Sequence, residues 1–196
     1  MKKLLGILVL CLLFISAPSR ADDIREFEIE GISIGDSLLD YFSEDKINAN
    51  GEAIFPSSDK FLAATFRNLT KFKIYDGMQF HYKKNDKKYI IQAFNGQVYY
   101  NDIKECKKKY DEIVKEFSEV FYNAKKIDQG KREHQGLAKV GQKGNFYYRT
   151  LFRFESGSGA AVVCYDWTEE SNRQDGLGVY LNNKEYLDFL QNEAYK

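Results

Sequence analysis

The chain has 196 residues, with 29 Lys or Arg balanced by 29 Asp or Glu, and no net formal charge. Without a basic excess, composition excludes a charge-driven nucleic-acid binder and a polybasic membrane anchor. Two prolines set against 15 Phe and 14 Tyr describe an ordered chain with enough apolar mass for a core, not a disordered one.

The first 21 residues have three parts: Lys2 and Lys3, an uncharged apolar run from Leu4 to Ile15, and Ser19-Arg20-Ala21. Small residues at −3 and −1 before Asp22 complete the pattern of a secretory signal peptide. The run is 12 residues long, short of the about 20 that cross a bilayer. Cys11 follows Leu10 inside the run, the wrong place for a lipid-accepting cysteine. Residues 1–21 are therefore expected to be a cleaved leader. Residues 22–196 are expected to be one exported domain, periplasmic or secreted, without a transmembrane anchor. Three of the 29 basic residues and no acid lie in the leader, so 26 basic and 29 acidic residues follow it, net −3.

After the leader, residues 22–30 place Ile24, Phe27 and Ile29 among charges, which predicts a short edge strand or extended arm. Asp36 is placed to cap a short helix through Phe42, with Leu38, Leu39 and Phe42 inward. Ser43 is placed to cap a turn over 44–48. Residues 48–58 read as loop, around Asn50-Gly51 and Pro56-Ser57-Ser58. Strands are predicted over 61–67, where Leu62-Ala63-Ala64 would also suit a helix, and over 72–75. Met78, Phe80 and Tyr82 alternate with Gln79, His81 and Lys83, a strand period. A polar turn at 84–88 follows, then a strand over 89–94. Asn95-Gly96 is a two-residue hairpin signal, and 97–100 closes the meander.

Ile103, Cys106, Tyr110, Ile113, Val114, Phe117, Val120 and Phe121 recur at three- and four-residue steps, the stripe of a long amphipathic helix. Asp102 and Glu105 form its capping pair. Glu105–Lys109 and Asp111–Lys115 are spaced to pair on its wet face, and its lysines interleave with acids as on a solvated surface. Residues 123–144 carry four glycines and read as a long loop, mobile or functional. Over 145–155, Phe146, Tyr148, Thr150, Phe152 and Phe154 alternate with Tyr147, Arg149, Leu151 and Arg153. Ser156-Gly157-Ser158-Gly159 turns the chain into an apolar strand over 160–167. A last strand over 178–181 leads to a helix capped by Asn182 with Glu185, its core side Tyr186, Phe189 and Leu190. Strands grouped before each long helix predict an antiparallel α+β fold, with the long and C-terminal helices on one sheet face. The two strand-then-helix halves are 22–122 and 145–196.

Two cysteines follow the leader, Cys106 and Cys164. An even count in an exported chain predicts a disulfide. It would pin the long helix to a strand and close a loop of about 58 residues, worth about 4 kcal/mol in the loop-entropy account. The sharper alternative, a nucleophilic Cys106, requires a free Cys164 and a nearby His81 or His134. These two histidines lack metal-ligand spacing and read as solvated or hydrogen-bonded, so neither metal nor cofactor is expected. Asp166, beside Trp167, is the best-placed catalytic acid, with a strand-end turn as its simpler role. Gly31-Ile32-Ser33-Ile34-Gly35 fits the bare G-x-S-x-G frame but lacks the strand–turn–helix pattern that frame needs. No phosphate loop or dinucleotide fingerprint is present. Asn68-Leu69-Thr70 is a glycosylation sequon, meaningful in a eukaryotic secretory pathway.

Three stretches, Ile29 to Phe42, Tyr82 to Tyr89 and Cys164-Tyr165-Asp166-Trp167, resemble a family of uncharacterised exported bacterial proteins. More distantly, the Ile-x-x-Gly lead into a short helix, followed by antiparallel strands, is similar to envelope lipoproteins of the BamE/SmpA type and to beta-lactamase-inhibitor-protein-like domains. The lipid-bearing cysteine of those lipoproteins is absent here, which speaks against a tethered role. Function is accordingly expected to be non-enzymatic binding of a protein or envelope component through the sheet face or loops. The alternative is a small secreted hydrolase drawing on Asp166, His81 and His134.

Overall fold

The computed structural model of the chain describes residues 23–67, 72–139 and 141–196. The leader over 1–21 and the sequon at Asn68-Leu69-Thr70 lie outside the described residues. In chain order the elements are α1 (Glu44–Ala49), β1 (Gly51–Glu52), β2 (Phe61–Arg67), β3 (Gly77–Lys83), β4 (Ala93–Tyr99), α2 (Ile103–Val120), β5 (Lys125–Glu133), α3 (Gln135–Lys139), β6 (Phe146–Arg153), β7 (Gly159–Asp166), β8 (Gly176–Asn182) and α4 (Lys184–Asn192). The eight strands form one antiparallel sheet in the order β1-β2-β3-β4-β8-β7-β6-β5. Two meanders, each followed by a helix, thus meet where their last strands pair, from Ala93↔Asn182 to Tyr99↔Gly176. The fold is antiparallel α+β, as the grouping of strands before helices predicts.

Directly opposed residues share a sheet face. One face carries Ala64, Phe80, Phe94, Leu181, Ala160 and Phe152 in a single row across β2, β3, β4, β8, β7 and β6. Helix α2 lies on this face. Its Cys106, Tyr110, Val114 and Phe117 are buried, and Cys106 is disulfide-bonded to Cys164 with their Cα atoms 6.0 Å apart. Asp102 caps the helix by accepting from Lys104 N, and Lys109 pairs with Glu112. Phe121 meets Phe27, Phe117, Phe152 and Phe154 at centroid distances of 4.9–5.8 Å. Truncating such a ring to alanine costs about 3–5 kcal/mol. The N-terminal segment covers the rest of this face, with Ile24, Ile32, Leu38 and Ile47 fully buried and Phe42 stacked 4.0 Å from Phe66.

Helix α4 packs on the opposite face, where Tyr186 and Phe189 meet Phe55, Phe61 and His81. The expectation of both helices on one face is therefore corrected. Strands β4 and β8 are antiparallel, so their helices leave the sheet at opposite ends, and Phe55, Phe61 and Ala93 supply apolar surface for α4 on the second face.

Several elements depart from the sequence reading. Of the arm expected over 22–30, residues 23–30 form a 3-10 turn at Ile24–Glu26, capped by Asp23, and a lone bridge Ile29↔Ile32. Ser37, not Asp36, caps a single 3-10 turn Leu38–Asp40, which leaves Leu39 exposed. The stretch 72–75 is not a strand, and Gly51–Glu52, read as loop, pairs with β2. Asn95-Gly96 is no hairpin turn. Strand β4 runs through both residues, and the absent Gly96 side chain makes room for the Tyr75 ring, whose Cδ1 lies 2.4 Å from an ideal Cβ position there. Pairing on both sides overrides the local turn preference. The loop over 123–144 contains β5, a polar edge strand with a register shift between Asp128 and Lys131, and the short α3. Alternating exposed charges give such a strand no hydrophobic period to detect. Asn183, one residue later than expected, caps α4 by accepting from Tyr186 N.

A candidate binding face on the sheet

The face opposite α2 is covered by α4 at one end only. Its rows follow from the register. Ala63, His81, Ala93, Asn182, Gly159 and Arg153 form one, Thr65, Gln79, Asn95, Tyr180, Ala161 and Leu151 the next. Beyond them lie Arg67, Gln97, Gly178, Val163 and Arg149, then Tyr99, Gly176, Tyr165 and Tyr147. Two glycines let long side chains lie flat. An ideal Cβ on Gly178 would stand 2.6 Å from Tyr180 Cε2, and one on Gly159 3.0 Å from an Arg153 terminal nitrogen. The Tyr180 ring thereby folds over Gly178, and its hydroxyl meets that of Tyr165 at 2.8 Å. Burial pushes both phenols above their ordinary pKa, Tyr180 well above, so the pair is neutral.

Aromatic rings continue from there. Tyr165 stacks on Trp167 at 5.1 Å and 5°, and His134 lies 5.6 Å from Trp167. Two arginines stand over this shelf, Arg149 above Tyr147 at 5.1 Å and Arg173 above Trp167 at 5.0 Å. Arg149 Nε also donates to Gln129 Oε1, which fixes its plane. Among the described residues neither Arg149 nor Arg153 has a carboxylate within 4.0 Å. Burial first, then the like charge of Arg149, holds Arg153 below its usual pKa.

Three cavities of about 310, 470 and 210 Å³ adjoin on this face and share Tyr165. Arg67, Arg149, Arg153 and Arg173 line them, and no Asp or Glu does; Glu52, opposite Ala63 on the edge strand β1, stands by a further cavity at the far edge of the face, with Arg67 and Gln79. The first lies between α4 and the sheet, with Phe55, Leu187 and Leu190 in its wall. Its wall includes two buried polar residues with unpartnered atoms, His81 Nδ1 and Asn95 Oδ1. Each such buried group costs about 1–3 kcal/mol.

His81 corrects the sequence reading. It lies on the buried face between α4 and β3, is 4% exposed, and sits 4.7 Å from the Tyr186 ring. Burial pushes its pKa down to about 3 and keeps it neutral. Asp166 lies on the other face, paired with Lys131 at 3.2 Å. His134 accepts from Leu137 N through Nδ1 beside the aromatic shelf. The three candidate residues are not brought together. Cys106 is bonded to Cys164 and is no free nucleophile. Ser33, in the G-x-S-x-G frame, donates through Oγ to Phe27 O inside a turn whose Ile32 and Ile34 are buried. Among the described residues no three His, Cys, Asp or Glu side chains gather as metal ligands, and no helix is long and apolar enough to cross a membrane.

The residues that make this face were not singled out from the sequence. The available signal was the second side of β6, Tyr147, Arg149, Leu151 and Arg153, with one tyrosine and two arginines but no acid. Comparisons with protein-family models, curated proteins and solved structures find no match.

Proposed function

We propose that the chain is an exported, non-enzymatic binding protein that holds a negatively charged protein or envelope component on its open sheet face. Export rests on the leader pattern of residues 1–21. One observation carries the binding role: three adjoining cavities lined by four arginines and no carboxylate, in a chain with as many acids as bases. Charge so segregated attracts an anionic partner and orients it, while the Tyr and Trp side chains supply contact area at low entropic cost. A hydrolase built on Asp166 and His81 has no comparable support, because they stand on opposite faces.

The test is capture from an envelope fraction with the chain over 22–196 and with its Arg149→Glu/Arg153→Glu variant. A component retained by the first and released by the second is the expected result. Retention independent of these arginines, or turnover of a substrate abolished by Asp166→Asn, would overturn the proposal.

A further inference from the structure

We infer that the cavity between α4 and the sheet is a site for a small amphipathic organic anion, its acid group held by Arg149 and Arg153 and its apolar tail lying along α4. This rests on the binding-face proposal above and adds the ligand's size and its two ends.

The cavity has about 310 Å³. At about 30 Å³ per water-sized group, that is room for about ten non-hydrogen atoms. The head-group end is defined by charge. Arg149 and Arg153 are four residues apart on one strand face, about 13 Å at the usual rise. Both side chains line the same cavity, Arg149 over Tyr147 and Arg153 against Gly159. The Arg149 plane is held by Gln129 and Tyr147. Arg153 makes no ion pair with any described residue. Two forked, half-buried cations lining one cavity match the geometry of a carboxylate or phosphate.

The tail end is defined by apolar surface. Leu187 and Leu190 of α4 form one wall, and Ala161 and Val163 the floor. Ile54 is 38% and Tyr195 69% exposed, two of the five exposed large apolar side chains among the described residues, and both line this cavity. Neutral His81 adds no third cation, so the arginines alone supply the attraction.

Octanoate is the probe, titrated into the chain over 22–196 and followed by calorimetry and by the arginine Nε–H signals in NMR. Expected are one site, shifts at Arg149 and Arg153, and binding about tenfold weaker for neutral octanamide and for Arg153→Gln. Lys115→Gln, exposed on α2 across the sheet, should change affinity less than about twofold. Phosphatidylglycerol vesicles should not bind, which separates a soluble acid from a lipid surface. Absence of heat and of arginine shifts at about 10 mM octanoate, equal binding of octanamide, or vesicle binding without octanoate binding would each overturn the inference. A melt identical to wild type shows that Arg153→Gln is folded, and a lowered melt moves the comparison to Arg149→Gln. If octanoate fails while Arg149→Glu/Arg153→Glu still releases the envelope partner, the ligand class falls and the binding face stands. If neither responds, both fall.

Discussion

Replacing His81 with leucine should remove a defined part of the protein's acid sensitivity. His81 is enclosed by Phe55, Tyr186 and the sheet, and burial takes its pKa from 6.5 to about 3. The unfolded chain binds a proton at this site below about pH 6.5, whereas the folded chain does not until about pH 3. The stabilisation is therefore complete above pH 6.5 and is lost progressively as pH falls toward 3. Each unit below 6.5 costs about 1.4 kcal/mol, which gives about 2 kcal/mol at pH 5 and about 3 kcal/mol at pH 4. Urea unfolding of wild type and His81→Leu at about pH 7.5 and about pH 5 isolates this part, because the other titrating groups are common to both. Wild type should lose about 2 kcal/mol more than the variant between those pH values. Equal losses, or a ring titration of His81 in the folded protein near 6.5, would show that the side chain is not enclosed as described.

Reducing the Cys106–Cys164 bridge, which closes a separation of 58 residues, should cost about 4 kcal/mol and lower the melting temperature under dithiothreitol. Thiol titration of the denatured, unreduced protein should find no free thiol, and two would refute the bridge. Gly178→Ala places a Cβ where Tyr180 now lies, so the ring must swing away from Tyr165. The expected cost is about 1–2 kcal/mol with altered near-ultraviolet tyrosine dichroism, and an unchanged spectrum would contradict the folded-over ring. Asp166→Asn removes only a part-exposed pair with Lys131. It should cost at most about 1 kcal/mol and leave partner binding intact, and a loss of binding would place Asp166 in the site.

Where burial alone shapes a segment, the sequence was legible. The stripe on α2 shows because one side of that helix is core, and β6 shows because one side of that strand is packed under α2. Strand β5 was not legible, since an exposed edge strand of charges keeps its place through pairing with β6 and has no apolar period. His81 was misplaced for the converse reason. A period of two assigns one wet side, but β3 is packed by the N-terminal segment on one side and by α4 on the other. Asn95-Gly96 carries turn chemistry that two neighbouring strands outweigh. The binding face depends on register above all. Nothing local brings Asn95 beside Tyr180 or Tyr180 beside Ala161, so the convergence of Arg149, Arg153, Tyr165 and Tyr180 is visible only once the sheet is assembled.

A partner is expected to bind the arginine-lined sheet face, not the lysine-bearing surface of α2. Amide chemical-shift mapping of the labelled chain, with an envelope component captured in the test above, checks this directly. Perturbations centred on Tyr147, Arg149, Tyr165 and Tyr180, with Lys104, Lys108 and Lys115 unmoved, are the predicted result. Perturbations centred on α2 with the sheet face silent would contradict it.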